Sequence, residues 1–247
     1  MQYAEIPESQ GFRGEADRET AILPYGDEEN LELTEGATEN RASARAFITA
    51  NLPLRPAPGL PEIRIHTATP SSGLRRLVAG RNPYWAWCWA GGLALARHIL
   101  AHPDIVAGRR ALDLGSGSGL VAIAAMRAGA AHALAVDSDA EAVAATECNA
   151  AANSVAVEAL HADPLDGEPP AADVVLVGDL FYDRAVAARV TAFLDRCAAG
   201  GARVLVGDPG RAFLPLDRLS LLAEYAARDF GESGAGEGRA GVFAFRR

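Results

Sequence analysis

Residues 109–120 read RRALDLGSGSGL, and four of them carry chemistry: Asp113, Gly115, Gly117 and Gly119. An apolar strand pattern runs into a glycine turn and then into an apolar helix pattern. Glycine lets the backbone turn tightly and lets a ligand approach it, because no Cβ stands in the way. The helix start that follows presents unpaired N–H groups, so the unit is a nucleotide-sized binding site. Its spacing, Gly115-x-Gly117-x-Gly119, departs from the G-x-G-x-x-G of dinucleotide sites. A structural connector is the other reading of such a turn.

Ligands of a doubly wound sheet sit outside the carboxyl ends of its strands, so each later strand end becomes informative. The second ends at Asp137, 18 residues after Gly119, where a carboxylate can accept both hydroxyls of a ribose. The third ends near Asp163, where an acid or a nearby amide can receive an adenine amino group. The fourth ends at Gly178-Asp179. Single acids at such places are often helix N-caps, and Asp139 and Asp183 are expected to be caps.

Two aromatic clusters accompany these acids. Residues 83–92 read PYWAWCWAGG and hold all three tryptophans of the chain, Trp85, Trp87 and Trp89, at alternate positions. The alternation predicts an extended segment whose aromatic face is either a packing plug or a wall beside donor or substrate. Residues 178–183 read GDLFYD. There Asp179 is expected to receive and orient an amine, with proton acceptance as a second role, while Phe181 and Tyr182 exclude water. Asp208 and Arg211, in GDPGR at the end of the fifth strand, either pair to fix their loop or touch a protein substrate.

The elements that must position these residues alternate along the chain. Strands are expected at 110–114, 133–136, 155–160, 173–177 and 203–206, with helices at 120–128, 140–152, 184–198 and 216–226. Continuous apolar strands such as VVLV and RVLV predict a parallel sheet covered on both faces. A last strand at 242–245, reached through the glycine-rich 231–241, is expected to run antiparallel. Upstream lie an expected helix at 44–52, an edge strand at 62–68 and a helix at 93–100. The fold class is therefore α/β: a doubly wound, mostly parallel seven-stranded sheet with a C-terminal antiparallel hairpin, Rossmann-like.

Charge divides the chain. Residues 1–40 hold eleven acids against Arg13 and Arg18, which accounts for the whole net charge of −9. That stretch is expected to be a disordered acidic extension. Residues 41–247 are expected to form the folded domain, with 41–108 as a lead-in and 109–247 as the core. The neutral body has no basic stripe, which argues against nucleic-acid binding. All 23 basic residues are arginine, a coding bias of GC-rich bacterial genomes. No apolar run suits a membrane helix, and the acidic start predicts neither a signal nor a transit peptide. Three scattered cysteines and five histidines without ligand spacing predict reduced thiols, a cytoplasmic location and no metal.

Residues 113–119 resemble the D/E-x-G-x-G-x-G pattern of class I S-adenosylmethionine-dependent methyltransferases at every fixed position. Over roughly residues 47–245, PYWAWCWAGG, GDLFYD and GDPGR further resemble bacterial members of the electron transfer flavoprotein beta-subunit lysine methyltransferase family. The resemblance implies S-adenosyl-L-methionine as cofactor, held by Asp113, Gly115, Gly117, Gly119 and Asp137, with Trp89 on the donor side. It implies an acid-x-x-Tyr element at Asp179 and Tyr182. The expected partner is a protein with a target lysine, the flavoprotein beta subunit being the candidate, and Trp85, Phe181, Asp208 and Arg211 are the candidate substrate-side residues. Competing readings are a small-molecule or ribosomal-protein methyltransferase, a non-catalytic binding protein and a nicotinamide-linked oxidoreductase.

Overall fold

The computed structural model describes residues 35–77, 82–229 and 238–246. The acidic stretch up to residue 34 and most of the glycine-rich 231–241 lie outside them. α1 (Glu35–Asn51) starts earlier than the expected helix and crosses the expected boundary at residue 40. The short strands β1 (Leu54–Ala57) and β2 (Leu60–His66) pair antiparallel as a separate two-stranded hairpin. α2 (Ala90–Ala101) precedes the main sheet.

The alternating series then unfolds as β3 (Arg110–Leu114), α3 (Leu120–Arg127), β4 (His132–Asp137), α4 (Ala140–Ala152), β5 (Glu158–His161), β6 (Val174–Gly178), α5 (Arg184–Ala199) and β7 (Arg203–Asp208). β8 (Leu219–Ala226) and β9 (Arg239–Phe245) close the chain. The seven strands lie in the order β5-β4-β3-β6-β7-β9-β8, parallel from β5 to β7, with β9 antiparallel to both of its neighbours. Strand order reverses between β3 and β6, so the switch point lies between the glycine turn and Asp179.

Side chains alternate across the sheet with the two-residue period of a strand. Ala111, Val174, Leu176 and Leu205 face α2 and α3 in one core, while Leu112, Leu114, Val175, Val177 and Val206 face α5 in the other. Burial on both faces is what makes these strands read as unbroken apolar runs.

The expected helix at 216–226 is corrected. Only Leu216–Arg218 forms a single 3-10 turn, and Leu219–Ala226 is the edge strand β8. Leu219, Leu221 and Leu222 also fit a helix pattern. The antiparallel pairing offered by β9 decides the outcome, because tertiary context overrides weak local preference. Among the described residues, no helix is long and apolar enough to cross a membrane.

Candidate active site

Gly115, Gly117 and Gly119 all adopt left-handed backbone angles, with φ of 67°, 51° and 76°. That conformation is costly for residues with a Cβ, which explains three glycines in five residues. A Cβ at Gly117 would meet only the Cα of Trp85, at 3.7 Å, so the turn stays open on one side. Asp137 at the end of β4 crosses to this turn: its Oδ2 accepts the Gly117 N–H at 2.8 Å and its Oδ1 that of Asp139 at 2.9 Å. A carboxylate offers about four lone-pair positions, so two remain for a ligand's hydroxyls. Burial pushes the Asp137 carboxyl up, against the pull of these N–H groups and of His161.

Asp113 does different work from the direct donor contact expected of it. It is buried beneath the turn, and its Oδ2 accepts the Ala122 N–H at 2.9 Å, tying β3 to the first turn of α3. Burial first, and then Asp137, push its carboxyl up to about 7, while the Ala122 N–H opposes them. The folded-state value lies above the unfolded value of 3.8, so the folded chain keeps this proton to higher pH. The associated stability is full below the unfolded value and is lost as pH rises to about 7. Asp113→Asn retains the acceptor and removes the charge. The variant is expected to melt roughly 5 °C or more above the wild type at pH 8 and nearly level with it at pH 4, read by circular dichroism. Equal melting at both pH values would contradict the assignment.

α4 braces the turn from the side, which the sequence reading missed. Thr146, Asn149 and Asn153 repeat at helical spacing and face one way. Thr146 donates to the Gly117 carbonyl at 3.3 Å, and the Asn149 amide to the Ser118 carbonyl at 2.8 Å. Asn149 also accepts the His66 N–H, while Asn153 pairs with the backbone of Arg64, so the same helix face holds the β1–β2 hairpin. Polar residues at such spacing on an otherwise alanine-rich helix were the available signal.

Asp163 stands beyond the end of β5, but its carboxylate is turned to other work. Oδ1 accepts the Leu165 N–H at 3.2 Å, and Oδ2 pairs with Arg189 of α5 at 3.0 Å. These contacts turn it toward α5 while leaving part of a half-exposed carboxylate free, so they fix its orientation without closing it to an adenine amino group. Asp139 and Asp183 are the caps expected, of α4 and α5.

Across the switch point, Asp179 holds a left-handed backbone at φ 60°, uncommon for a residue with a Cβ and a mark of local strain. Its N–H continues the β6–β7 pairing to the Gly207 carbonyl at 3.0 Å. Its Oδ2 accepts the Gly92 N–H of α2 at 2.7 Å, and its Oδ1 accepts from Arg211 at 2.8 Å. Burial drives its carboxyl up to about 6, against Arg211 and the Gly92 N–H. Gly91 permits this approach: a Cβ there would stand 2.2 Å from the Gly207 carbonyl oxygen and 2.8 Å from Asp179 Oδ2.

The aromatic residues separate by role. Trp85 is 2% exposed and packs among α1 and α4 residues, and Phe181 is 0% exposed and packs with Val177, Val190 and Phe193. Neither lines the substrate side, which corrects the expectation for both. The alternation around Trp85 failed because Tyr84–Ala86 is a 3-10 turn, not an extended segment. Tyr84, which the sequence reading passed over, takes the outer position instead. Its ring lies 5.8 Å from that of Trp89 and 6.2 Å from that of Tyr182, and Tyr84 and Tyr182 are 54% and 53% exposed. Trp89 Nε1 donates to the Tyr84 carbonyl at 2.8 Å. Burial raises the Tyr182 phenol, followed by Tyr84 and Asp137, so Tyr182 stands within electrostatic reach of the donor side.

The Arg211 guanidinium pairs with Asp179 and Asp229, so of the two readings for Asp208 and Arg211 the ion pair between their side chains does not form. Asp208 is fully buried and accepts the backbone N–H groups of Gly210 and Arg211, both at 2.7 Å, so it shapes the loop after β7 and is not open to substrate.

An open glycine turn, an unsaturated carboxylate at the second strand and a buried acid across the switch point suit an adenosyl ligand carrying a reactive centre. With this sheet order they define a class I S-adenosylmethionine-dependent methyltransferase. The profile of the ribosomal protein L11 methyltransferase (PrmA) family matches residues 100–180. The electron transfer flavoprotein beta subunit lysine methyltransferase of Xenopus laevis is 38% identical over 195 residues, 75% of this chain and 79% of the frog protein. The same-named protein of Danio rerio is 45% identical over 133 residues, 53% of this chain and about half (52%) of the fish protein. A crystal structure described as a candidate RNA methyltransferase of Pyrococcus horikoshii shares the fold, with a TM-score of 0.50, 15% identity and coverage of 73% of this chain and 98% of that one. The chain belongs to the electron transfer flavoprotein beta subunit lysine methyltransferase family.

Proposed function

We propose that this methyltransferase acts on the side-chain amine of a lysine held in another protein, with the electron transfer flavoprotein beta subunit as its substrate. The observation that carries the reading is the aromatic group beside the Arg211–Asp179 pair. Tyr84 meets the rings of Trp89 and Tyr182, the Trp89 ring lies 5.8 Å from the Arg211 guanidinium that binds the buried Asp179, and Tyr84 and Tyr182 are more than half exposed. An open aromatic rim receives a long side chain projecting from a protein surface. A small amine would call for an enclosed pocket, since such ligands bury most of their surface. The names of the relatives point the same way.

Bound S-adenosylmethionine supplies an electrophilic methyl carbon on a sulfonium. The residues of the chain do the rest. Asp137 and the glycine turn hold the adenosyl part. Asp179 accepts from the incoming ammonium with its remaining lone pairs and takes or passes on its proton, which frees the nitrogen lone pair. Tyr84 and Tyr182 flank the aliphatic stem and thin the water around it. The ribosomal L11 methyltransferases match less of the chain, 52% at 35% identity for that of Stenotrophomonas maltophilia, and their names support this reading less. We place the reaction in the cytoplasm, because the free thiols Cys88, Cys148 and Cys197 are all buried and suit a reducing compartment.

The test uses methyl-labelled donor, the full chain and purified flavoprotein beta subunit. The enzyme contains no lysine, so label recovered as methyl-lysine comes from the substrate. Methyl-lysine on the beta subunit is the expected result. Absence of label there, together with rapid methylation of a free small amine, would overturn the reading.

A further inference from the structure

The contacts of Asp179 close into a ring that draws in a residue no motif contains. Asp229 follows β8 and lies 14% exposed, with its Oδ1 accepting the Ala90 N–H at 2.9 Å and its Oδ2 accepting from Arg211 at 3.0 Å. The same Arg211 nitrogen donates to Asp179 Oδ1 at 2.8 Å, and Asp179 Oδ2 returns to α2 through the Gly92 N–H at 2.7 Å. One guanidinium thus joins two carboxylates, and the same two carboxylates take N–H groups from the first turn of one helix. Arg211 is itself fixed: its guanidinium lies 5.8 Å from the Trp89 ring, and its backbone N–H is bound by Asp208.

We propose that Arg211 and Asp229 are positioning residues for Asp179, holding its carboxylate in one orientation toward the acceptor amine and balancing its charge. The inference rests on Asp179 being the acceptor-side carboxylate of the proposed function. Two of the four lone-pair positions of Asp179 are consumed by Gly92 and Arg211, which sends the other two in a defined direction. Without Arg211 only the Gly92 contact holds the carboxylate, and its left-handed backbone has lost a restraint. Without Asp229 the guanidinium is no longer shared and turns wholly to Asp179.

These two losses act in opposite senses on the charge of Asp179. The groups facing it are Arg211 from the loop after β7, Asp229 after β8, and the N–H groups of α2, whose first turn carries no acid; Asp208 at the end of β7 acts on Arg211. Arg211 favours the ionised form of Asp179 and Asp229 disfavours it. Shifts of opposite sign report the charge balance, and Arg211→Lys, which keeps the charge and loses the planar fork, reports the orientation.

The test needs no acceptor, so it stands apart from the fate of the proposed function. The full chain is labelled with 13Cγ-aspartate, the Asp179 signal is assigned from Asp179→Asn, and its titration is followed by NMR. Arg211→Gln is expected to move the midpoint up by about one pH unit or more, and Asp229→Asn to move it down. Arg211→Lys keeps the charge but not the planar fork, so its midpoint falls between those of the wild type and Arg211→Gln. Circular dichroism confirms the fold of each variant, and if Arg211→Gln does not fold, Arg211→Lys and Asp229→Asn carry the comparison. With an acceptor in hand, the acid limb of kcat/KM follows the same order. Midpoints that stay together, or that move the same way in Arg211→Gln and Asp229→Asn, would overturn the proposal.

Discussion

Asp179→Asn is expected to lower kcat/KM for methyl transfer about 100-fold or more while donor affinity changes less than about threefold. Asparagine keeps the shape of the side chain and can still accept the Gly92 N–H, so the strained turn after β6 survives. It loses the charge that Arg211 balances and that an incoming ammonium meets. The wild-type carboxyl, pushed up to about 6, is ionised above that pH and protonated below it. Activity should therefore fall as pH drops through about 6, and this limb should be missing from Asp179→Asn. Steady-state rates over a pH series, with donor affinity measured by calorimetry, separate the two effects. Unchanged kcat/KM would remove Asp179 from the reaction.

Asp137→Ala carries the complementary expectation. Its carboxylate binds the Gly117 and Asp139 N–H groups and has two lone-pair positions left at the mouth of the glycine turn. Removing it withdraws the charged acceptor for the donor's hydroxyls and loosens the turn that forms the cradle. A hydrogen bond to a charged group contributes about 1.5–3 kcal/mol, which corresponds to donor binding weakened roughly 10- to 100-fold. Calorimetry with S-adenosylmethionine reads this directly, and a loss smaller than about threefold would show that the donor is held elsewhere. Together the two variants assign donor and acceptor to opposite sides of the switch point.

The parallel core was legible because its central strands β3, β6 and β7 are apolar on both faces and each is punctuated by an acid or a glycine at its carboxyl end. Asp137 and Asp179 were found for the same reason. What stayed hidden depends on partners distant in sequence. Leu219–Ala226 becomes a strand only because β9 pairs with it. Phe181 and Tyr182 are neighbours in one motif, but the turn at Asp179 sends the first into the core and the second to the rim. Tyr84 and Trp85 divide in the same way across a single 3-10 turn. Asp229 has no sequence signal: its role comes from the return of the chain after β8 to the start of α2. Asp113 was assigned to the donor from its motif, whereas the structure gives it the task of fixing α3 beneath the turn.

The central claim is that a methyl group passes from S-adenosylmethionine to a protein lysine above Asp179. Quantitative mass spectrometry of lysine methylation, comparing cells that carry the gene with cells from which it is deleted, tests that claim most directly. The account predicts methyl-lysine on the electron transfer flavoprotein beta subunit that disappears on deletion, returns with the wild-type gene and does not return with Asp179→Asn. An unchanged lysine methylation profile in cells that express the protein would contradict it.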